Sequence, residues 1–251
     1  LTSQYRYAVG SPIEQVVKAV QSGDADQVIN LLKSHRNSNG VVSWIDPSSK
    51  AQEDLEAFEN VGLEVQRHAL EVVELAGSSQ YEKALETLGQ LQLLCASRVG
   101  QLGIAGWNPT VNKWIGTATR KQWFVGRPVL ITKNDHGNNL YNGDVGVVCS
   151  DKNGEVRVVF DGLGGPREFP TVRLPEVETV HALTIHKSQG SEYQHAIVVL
   201  PTGRSRLLTR ELLYTGVSRA REQLTIVATE AALRTAVTTV ISRASGLADR
   251  L

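Results

Sequence analysis

The stretch HALTIHKSQGSEYQHAIVVL, residues 181–200, decides the fold class of this chain. It opens with an apolar run that ends at Ile185, passes through a polar segment, and closes with a second apolar run over residues 196–200. Short apolar runs of this kind predict buried strands. In parallel sheets, ligands collect in the polar loops that follow the carboxyl ends of strands. The polar segment Thr184–Glu192 is therefore a candidate site.

The sequence on both sides alternates between helical and strand patterns. Ser11-Pro12-Ile13-Glu14 predicts a helix start, with a Ser cap, Pro at the first helical position and Glu three residues after the cap. Further helices are predicted over residues 24–32, 49–76, 81–88, 108–114, 208–219 and 230–242, and strands over 41–45, 91–96, 181–185, 196–200 and 223–228. This alternation is typical of an α/β protein with a parallel sheet.

The pattern changes near Gly126. Residues 127–175 contain four short β segments separated by turns, and two of these turns are Asn142-Gly143 and Asn153-Gly154. Asn-Gly between apolar runs is a strong hairpin signal. We therefore predict a small β-barrel inserted into the α/β domain, which divides the chain into residues 1–124, 125–175 and 176–251.

The composition excludes several classes of protein. With 41% hydrophobic and 21% charged residues, the chain is neither disordered, collagen-like nor a coiled coil. Its apolar runs are too short to span a membrane. Cys95 and Cys149 lie in apolar stretches, which favours reduced, buried thiols in a cytoplasmic protein over a disulfide or a metal site. The chain starts at Leu1 and has no Met, so we expect it to be part of a longer protein.

The net charge of zero is an average over unequal regions. Residues 51–90 carry nine acids and two bases, a net charge of −7. Residues 97–134 carry six bases and no acid, and residues 181–251 carry nine bases and five acids, for net charges of +6 and +4. One such block is usually a solvated surface. Two basic blocks that contain or flank candidate sites favour an anionic partner.

Three polar clusters could perform chemistry: Gln4-Tyr5-Arg6, Thr184–Glu192 and Tyr214–Arg221. Two arginines from separate clusters would suit a polyphosphate whose negative charge grows in the transition state. Each cluster also has an ordinary interpretation. Arg219 could be a surface or ion-pair residue, His186 with Lys187 a solvated loop, and Tyr5 an aromatic residue at the edge of the core.

The order and spacing of these clusters resemble a known family. QYR, TIHKSQGSEY and LLYTGVSRAREQL are similar to helicase motifs IV, V and VI of superfamily 1. RPVLITKNDHGNNLYNGDVGVV resembles the insertion of the RecD group of 5′-to-3′ DNA helicases, and LQLLCASRVGQLGIAGWN strengthens that likeness. The resemblance implies a RecA-like parallel sheet with helices on both faces, interrupted by an SH3-like β-barrel. It also implies the second motor domain of an ATP-dependent helicase subunit of exonuclease V, acting in double-strand break repair and recombination.

The resemblance also implies roles for individual residues. Arg6 and Arg219 match two arginine fingers that reach the γ-phosphate of ATP, while Tyr5, Gly190 and Glu192 match positions near the nucleotide. The DNA-binding positions that it implies are Arg98, Lys133, Asn134, Asn142, Thr184, His186, Lys187 and Ser188. For Asn142-Gly143-Asp144, plain turn chemistry is an equal explanation. No residue of this chain is expected to bind a metal.

No phosphate-loop sequence G-x-x-x-x-G-K-[ST] occurs in the chain, and no Asp-Glu pair follows an apolar strand. In the family that this chain resembles, both belong to the first motor domain. The expected cofactor is therefore ATP with Mg²⁺, bound mainly by a domain outside this chain, with Leu1 near the boundary. Expected partners are single-stranded DNA, duplex DNA ends, and RecB-type and RecC-type subunits, with no membrane. A Pif1-like or relaxase-type helicase and a non-catalytic DNA-binding module remain open as alternatives.

Overall fold

The computed structural model describes residues 10–35, 40–116, 122–174 and 176–241. The helices are α1 Pro12–Ser22, α2 Ala25–His35, α3 Gln52–Gly77, α4 Tyr81–Gln90, α5 Ile104–Trp114, α6 Arg210–Val217 and α7 Glu230–Thr238. The strands are β1 Val42–Ile45, β2 Leu91–Cys95, β3 Pro128–Ile131, β4 Val145–Ser150, β5 Val156–Phe160, β6 Arg167–Pro170, β7 Val177–Thr179, β8 Ala182–Thr184, β9 Tyr193–Val199 and β10 Ala220–Val227. Among these helices, none has both the length and the apolar character required to cross a membrane.

The first sheet has the strand order β1-β10-β9-β2-β8, and all its pairs are parallel. Both of its faces are buried. Ala196 and Val198 of β9 pack into a core with α1, α2, α6 and α7. Ile197 and Val199 pack into a second core with α3 and α5. Side chains alternate across a strand, so this double burial requires helices on both faces. The predicted α/β fold is confirmed.

Local sequence signals set most of the element ends, as at α1. The Ser11 hydroxyl accepts a hydrogen bond from the backbone N–H of Glu14 at 3.2 Å, and Pro12 occupies the first helical position. The helix ends at Gly23, whose φ of 79° is left-handed and is available to glycine at little cost.

The predicted start of α5 at Asn108-Pro109 is wrong, because the helix begins at Ile104 and contains Pro109. The reason is a turn upstream of the helix. The backbone N–H groups of Ile104 and Ala105 donate to the carbonyls of Ser97 and Arg98, at 3.2 and 3.0 Å. These bonds satisfy donors that a helix start leaves unpaired, so the helix can begin before the proline.

The second sheet is antiparallel and has the strand order β6-β5-β4-β3-β7. It includes the four predicted β segments, and its last strand β7 lies after residue 175, where the predicted insertion ends. A Cβ on Gly146 would lie 2.6 Å from the carbonyl oxygen of Val159, so β4 and β5 require glycine there. The SH3-like barrel itself stays a prediction.

Candidate functional site

The carboxyl ends of the parallel strands are level with one another. Thr184 at the end of β8 pairs with Cys95 at the end of β2, which pairs with Val199 at the end of β9. Val199 in turn pairs with Val227 of β10. The loops that follow these strands therefore emerge along one edge of the sheet, here called the carboxyl edge.

The residues after β8 form a single 3-10 turn, Ile185–Ser188. The Thr184 hydroxyl accepts a hydrogen bond from the backbone N–H of Lys187 at 3.4 Å, and the Ser188 hydroxyl donates to the carbonyl of Ile185 at 2.8 Å. Thr184 and Ser188 are buried and His186 is exposed. The two hydroxyls thus shape the turn, while His186 faces solvent.

Lys187 belongs to an ion pair that links the two sheets. Its Nζ lies 2.6 Å from Oε2 of Glu178, which is on β7 of the antiparallel sheet. The Lys187 side chain is 24% exposed and the Glu178 side chain 46% exposed, so solvent reaches the pair. Any anion that binds Lys187 must therefore compete with the Glu178 carboxylate.

The connection from β8 to β9 crosses from one edge of the first sheet to the other. It leaves β8 at the carboxyl edge and enters β9 at Tyr193, which pairs with Ala220, the first residue of β10. Gly190, within this crossing, has a φ of 96°, and no atom lies within 4 Å of where its Cβ would be. The predicted cluster Thr184–Glu192 therefore spans both edges, and only its first half lies at the carboxyl edge.

Arg219 lies at the opposite edge, called here the amino edge, and is 7% exposed. Its guanidinium donates three hydrogen bonds of 3.0 Å, from Nε to the Thr215 carbonyl, from Nη1 to the Ser191 carbonyl and from Nη2 to the Ser218 hydroxyl. Through these bonds, the Arg219 side chain joins the end of α6 to the crossing connection. Burial raises the pKa of nearby Tyr193, and a hydrogen bond to Ser191 and the charge of Arg219 offset part of that rise.

Glu192 is also engaged at the amino edge. Its Oε2 lies 3.1 Å from Nε of Arg221, and the two side chains are 27% and 57% exposed. The structure thus brings Glu192 and Arg219 to the same edge, with Gly190 directly before the Ser191 that binds Arg219, and their contact with a nucleotide stays a prediction. Tyr5 and Arg6, the other residues predicted near the nucleotide, lie outside the described residues.

The predicted DNA-binding residues of the insertion lie in one loop between β3 and β4. The Asn134 side-chain oxygen accepts a hydrogen bond from the backbone N–H of Asn142 at 2.8 Å, so this pair stabilises the loop. Lys133 lies 3.1 Å from Glu176, and both side chains are largely exposed. Turn chemistry thus accounts for Asn134 and Asn142 without a ligand, and their role in DNA binding stays a prediction.

Arg98 follows β2, and two further arginines that the motifs did not predict lie at the same edge. Arg204 and Arg206 lie in the loop after β9 and are exposed, as Arg98 is. The signal was present in the sequence, since PTGRSR follows the predicted strand at residues 196–200. In the described parts of the chain, no group of three or more His, Cys, Asp or Glu side chains is arranged to hold a metal ion.

The chain is similar in sequence to several helicases. A family model described as the UvrD-like helicase C-terminal domain matches residues 179–227. The whole chain is 40% identical to 42% of the RecBCD enzyme subunit RecD of Mycobacterium tuberculosis, and 33% identical to 40% of the RecD subunit of Haemophilus influenzae. Over 89% of its length it is 28% identical to 27% of the ATP-dependent RecD2 DNA helicase of Deinococcus radiodurans. The chain thus spans less than half the length of these relatives.

A solved structure has the same fold. The crystal structure of Pif1 helicase from Bacteroides, in complex with ADP-AlF3 and ssDNA, aligns with 99% of this chain and 55% of that one. The TM-score is 0.51 and the sequence identity is 16%, so the likeness is one of fold alone. Together with the parallel sheet, it supports a RecA-like α/β fold for this chain.

Proposed function

From the resemblance of the whole chain to the C-terminal part of RecD helicase subunits, we propose that it is the second motor domain of an ATP-dependent 5′-to-3′ DNA helicase. The parent protein would act in double-strand break repair and recombination, as a subunit of an exonuclease V. In this role the domain presents one surface to the nucleotide and another to single-stranded DNA. The connection Thr184–Tyr193 carries the proposal, because it is a short segment that runs between two edges of different chemistry.

The amino edge is the surface proposed to face ATP. Arg219 is a fixed cation there, since three hydrogen bonds hold its guanidinium to its own domain. A donor that is already oriented stabilises developing negative charge without reorganisation. Gly190 leaves open space in which a nucleotide could approach the backbone, and Glu192 follows it by two residues. Arg6 and Tyr5 would complete this surface, with ATP and Mg²⁺ held mainly by a first motor domain.

The carboxyl edge is the surface proposed to face single-stranded DNA. His186, Lys187 and Arg98 emerge there, and Thr184 and Ser188 hold the turn that presents the first two. Cations that contact phosphates bind without sequence preference, and the affinity falls steeply with salt. The ATP-facing and DNA-facing surfaces share one short connection. A shift of Ser191 against Arg219 would therefore move the Thr184–Ser188 turn, and in this way ATP binding would alter the affinity for DNA.

The test is DNA-stimulated ATP hydrolysis by the full-length protein. We expect Arg219→Ala and Arg6→Ala each to lower kcat by about 1,000-fold or more, which is the scale of arginine-finger losses. Single-stranded DNA binding should survive. Arg219→Lys keeps the charge but not the planar fork, so it separates lost geometry from lost charge.

Arg234→Ala on α7 is the matched control, because this arginine is 42% exposed, pairs with Asp26 and Glu230, and belongs to neither the proposed ATP surface nor the proposed DNA surface. ATP hydrolysis at the normal rate in both Arg219→Ala and Arg6→Ala would contradict the proposal.

The partners follow from the same resemblance. We propose that RecB-type and RecC-type subunits bind the parent protein, since the relatives in Mycobacterium tuberculosis and Haemophilus influenzae carry the name RecBCD enzyme subunit. Purification of the native protein with both subunits would support this assembly. Purification as an active helicase without them would favour a helicase that works alone.

A further inference from the structure

The loop after β9 has not been given a role by any motif, and its position is set by the sheet. Val199 at the end of β9 is level with Cys95 at the end of β2, and Cys95 is level with Thr184 at the end of β8. Neighbouring strands lie about 4.8 Å apart, so the three loops emerge within about 10 Å of one another along the edge. The loop after β9 is thus adjacent to the loop that contains Arg98 and one strand further from the turn proposed to contact DNA.

The loop after β9 exposes two arginines, Arg204 and Arg206, to solvent. The Ser205 hydroxyl accepts a hydrogen bond from the backbone N–H of Leu207 at 3.2 Å, and Leu208 next to it is 3% exposed. Thr209 then caps α6 by accepting a hydrogen bond from the N–H of Leu212. The loop is anchored at its base by these contacts, while Arg204 and Arg206 on either side of Ser205 are exposed.

The charges along the carboxyl edge are segregated. Residues 96–103 and 200–209, the loops after β2 and β9, contain three arginines and no acid. Over the described ranges, the guanidinium groups of Arg98, Arg204 and Arg206 form no hydrogen bond or ion pair. The loop after β10 instead leads to the acid Glu230, and the loop after β1 holds one acid and one base, Asp46 and Lys50. The excess of positive charge along this edge therefore lies in the loops after β8, β2 and β9.

We propose that Arg204 and Arg206 bind the phosphodiester backbone of single-stranded DNA, as an extension of the surface formed by Arg98 and the Thr184–Ser188 turn. The inference rests on the proposed helicase function and adds to it a second group of contacts. Arginines that lack a protein partner lose no ion pair when a phosphate binds, in contrast to Lys187, which must leave Glu178. The β9 loop can therefore bind phosphates of any sequence at a lower electrostatic cost than Lys187, which must first leave its ion pair.

The experiment measures binding of a fluorescein-labelled oligothymidylate to the full-length protein by anisotropy, over a series of KCl concentrations. The plot of log affinity against log salt falls with a slope of about −0.7 for each phosphate neutralised on a single strand. We expect Arg204→Gln and Arg206→Gln each to reduce this slope by about 0.7, and the double variant by about 1.4. The affinity loss should be largest at low salt. Arg204→Lys with Arg206→Lys should retain most of the slope.

Lys113→Gln is the control for loss of one surface charge. Lys113 is exposed and lies at the end of α5, where Oδ1 of neighbouring Asn112 is 2.9 Å from Nε2 of His181. His181 precedes β8, so Lys113 is at the amino end of that strand, and its substitution should leave the slope unchanged. A double Gln variant with the slope of the wild type would overturn the inference and leave the proposed function intact. Wild-type protein without salt-dependent binding would overturn both.

Discussion

Arg219 is expected to be as important for the stability of the domain as for its chemistry, and Arg219→Ala tests this directly. The substitution removes the three hydrogen bonds of 3.0 Å that the guanidinium donates to Thr215, Ser191 and Ser218. A hydrogen bond from a charged donor contributes about 1.5–3 kcal/mol when buried. Ser191 and Thr215 are only half-buried, so water can replace part of what is lost. We expect a net loss of about 3 kcal/mol in the free energy of unfolding.

The assay is thermal and urea unfolding of the purified protein, followed by circular dichroism. For a chain of this length, about 3 kcal/mol corresponds to a fall in Tm of about 6–12 °C. Arg219→Lys should fall between alanine and wild type, since an ammonium group is a point charge that cannot reproduce the fork. Arg221→Ala is the comparison, because the Arg221 side chain that pairs with Glu192 is 57% exposed and such surface pairs contribute about 0–1 kcal/mol.

A Tm for Arg219→Ala within about 3 °C of the wild type would refute the reasoning, because about 1 kcal/mol is too little for three hydrogen bonds to a buried guanidinium. The result also bears on activity. If Arg219→Ala destabilises the protein, its loss of ATP hydrolysis must be measured at a temperature where the variant remains folded.

Three further predictions concern other parts of the molecule. A hydrogen bond from His195 at 2.9 Å holds the pKa of Glu64 below its ordinary value of 4.5. This bond therefore stabilises the folded protein above pH 4.5, and its contribution is lost as the pH falls through the lower pKa that Glu64 has in the folded state. In acid unfolding, the Glu64→Gln variant should therefore lack the loss of stability that the wild type shows when Glu64 is protonated. Burial raises the pKa of Cys95 and Cys149 to about 12, so Ellman's reagent should label them only in denaturant, and labelling of the native protein would contradict their burial. Gly146→Ala should destabilise the antiparallel sheet and increase its proteolysis, whereas Gly89→Ala, with open space around the added methyl, should not.

Signals within a few residues of sequence were enough to predict most of the elements. The Ser11 cap, the apolar runs of the first sheet and the Asn-Gly turns depend on neighbours in the chain, so they could be identified without the structure. The start of α5 could not be predicted, because its first N–H groups donate to carbonyls in a turn at Ser97 and Arg98. No residue preference in the sequence predicts that turn.

The candidate site was predictable only in part. The motif residues Thr184–Glu192 and Arg219 were identified from their order and spacing, yet their division between two edges was not. It follows from the parallel pairing of β8 and β9 with β2, which places the end of β8 and the start of β9 at opposite edges of the sheet. The strand order, in which β2 lies between β8 and β9, brings the loop that contains Arg204 and Arg206 to within about 10 Å of the Thr184–Ser188 turn.

The sequence by itself determined the α/β class, the place of the inserted β segments and the resemblance to helicase motifs, because each depends on local patterns of apolar and polar residues. Only the tertiary structure decided the partners of the charged side chains. Lys187 pairs with Glu178 of the other sheet, and the Arg219 guanidinium binds the Ser191 carbonyl, 28 residues away in the chain. Hydrogen bonds and ion pairs act over a few ångströms in space, so the folded path of the backbone, and not the distance along the chain, selects them.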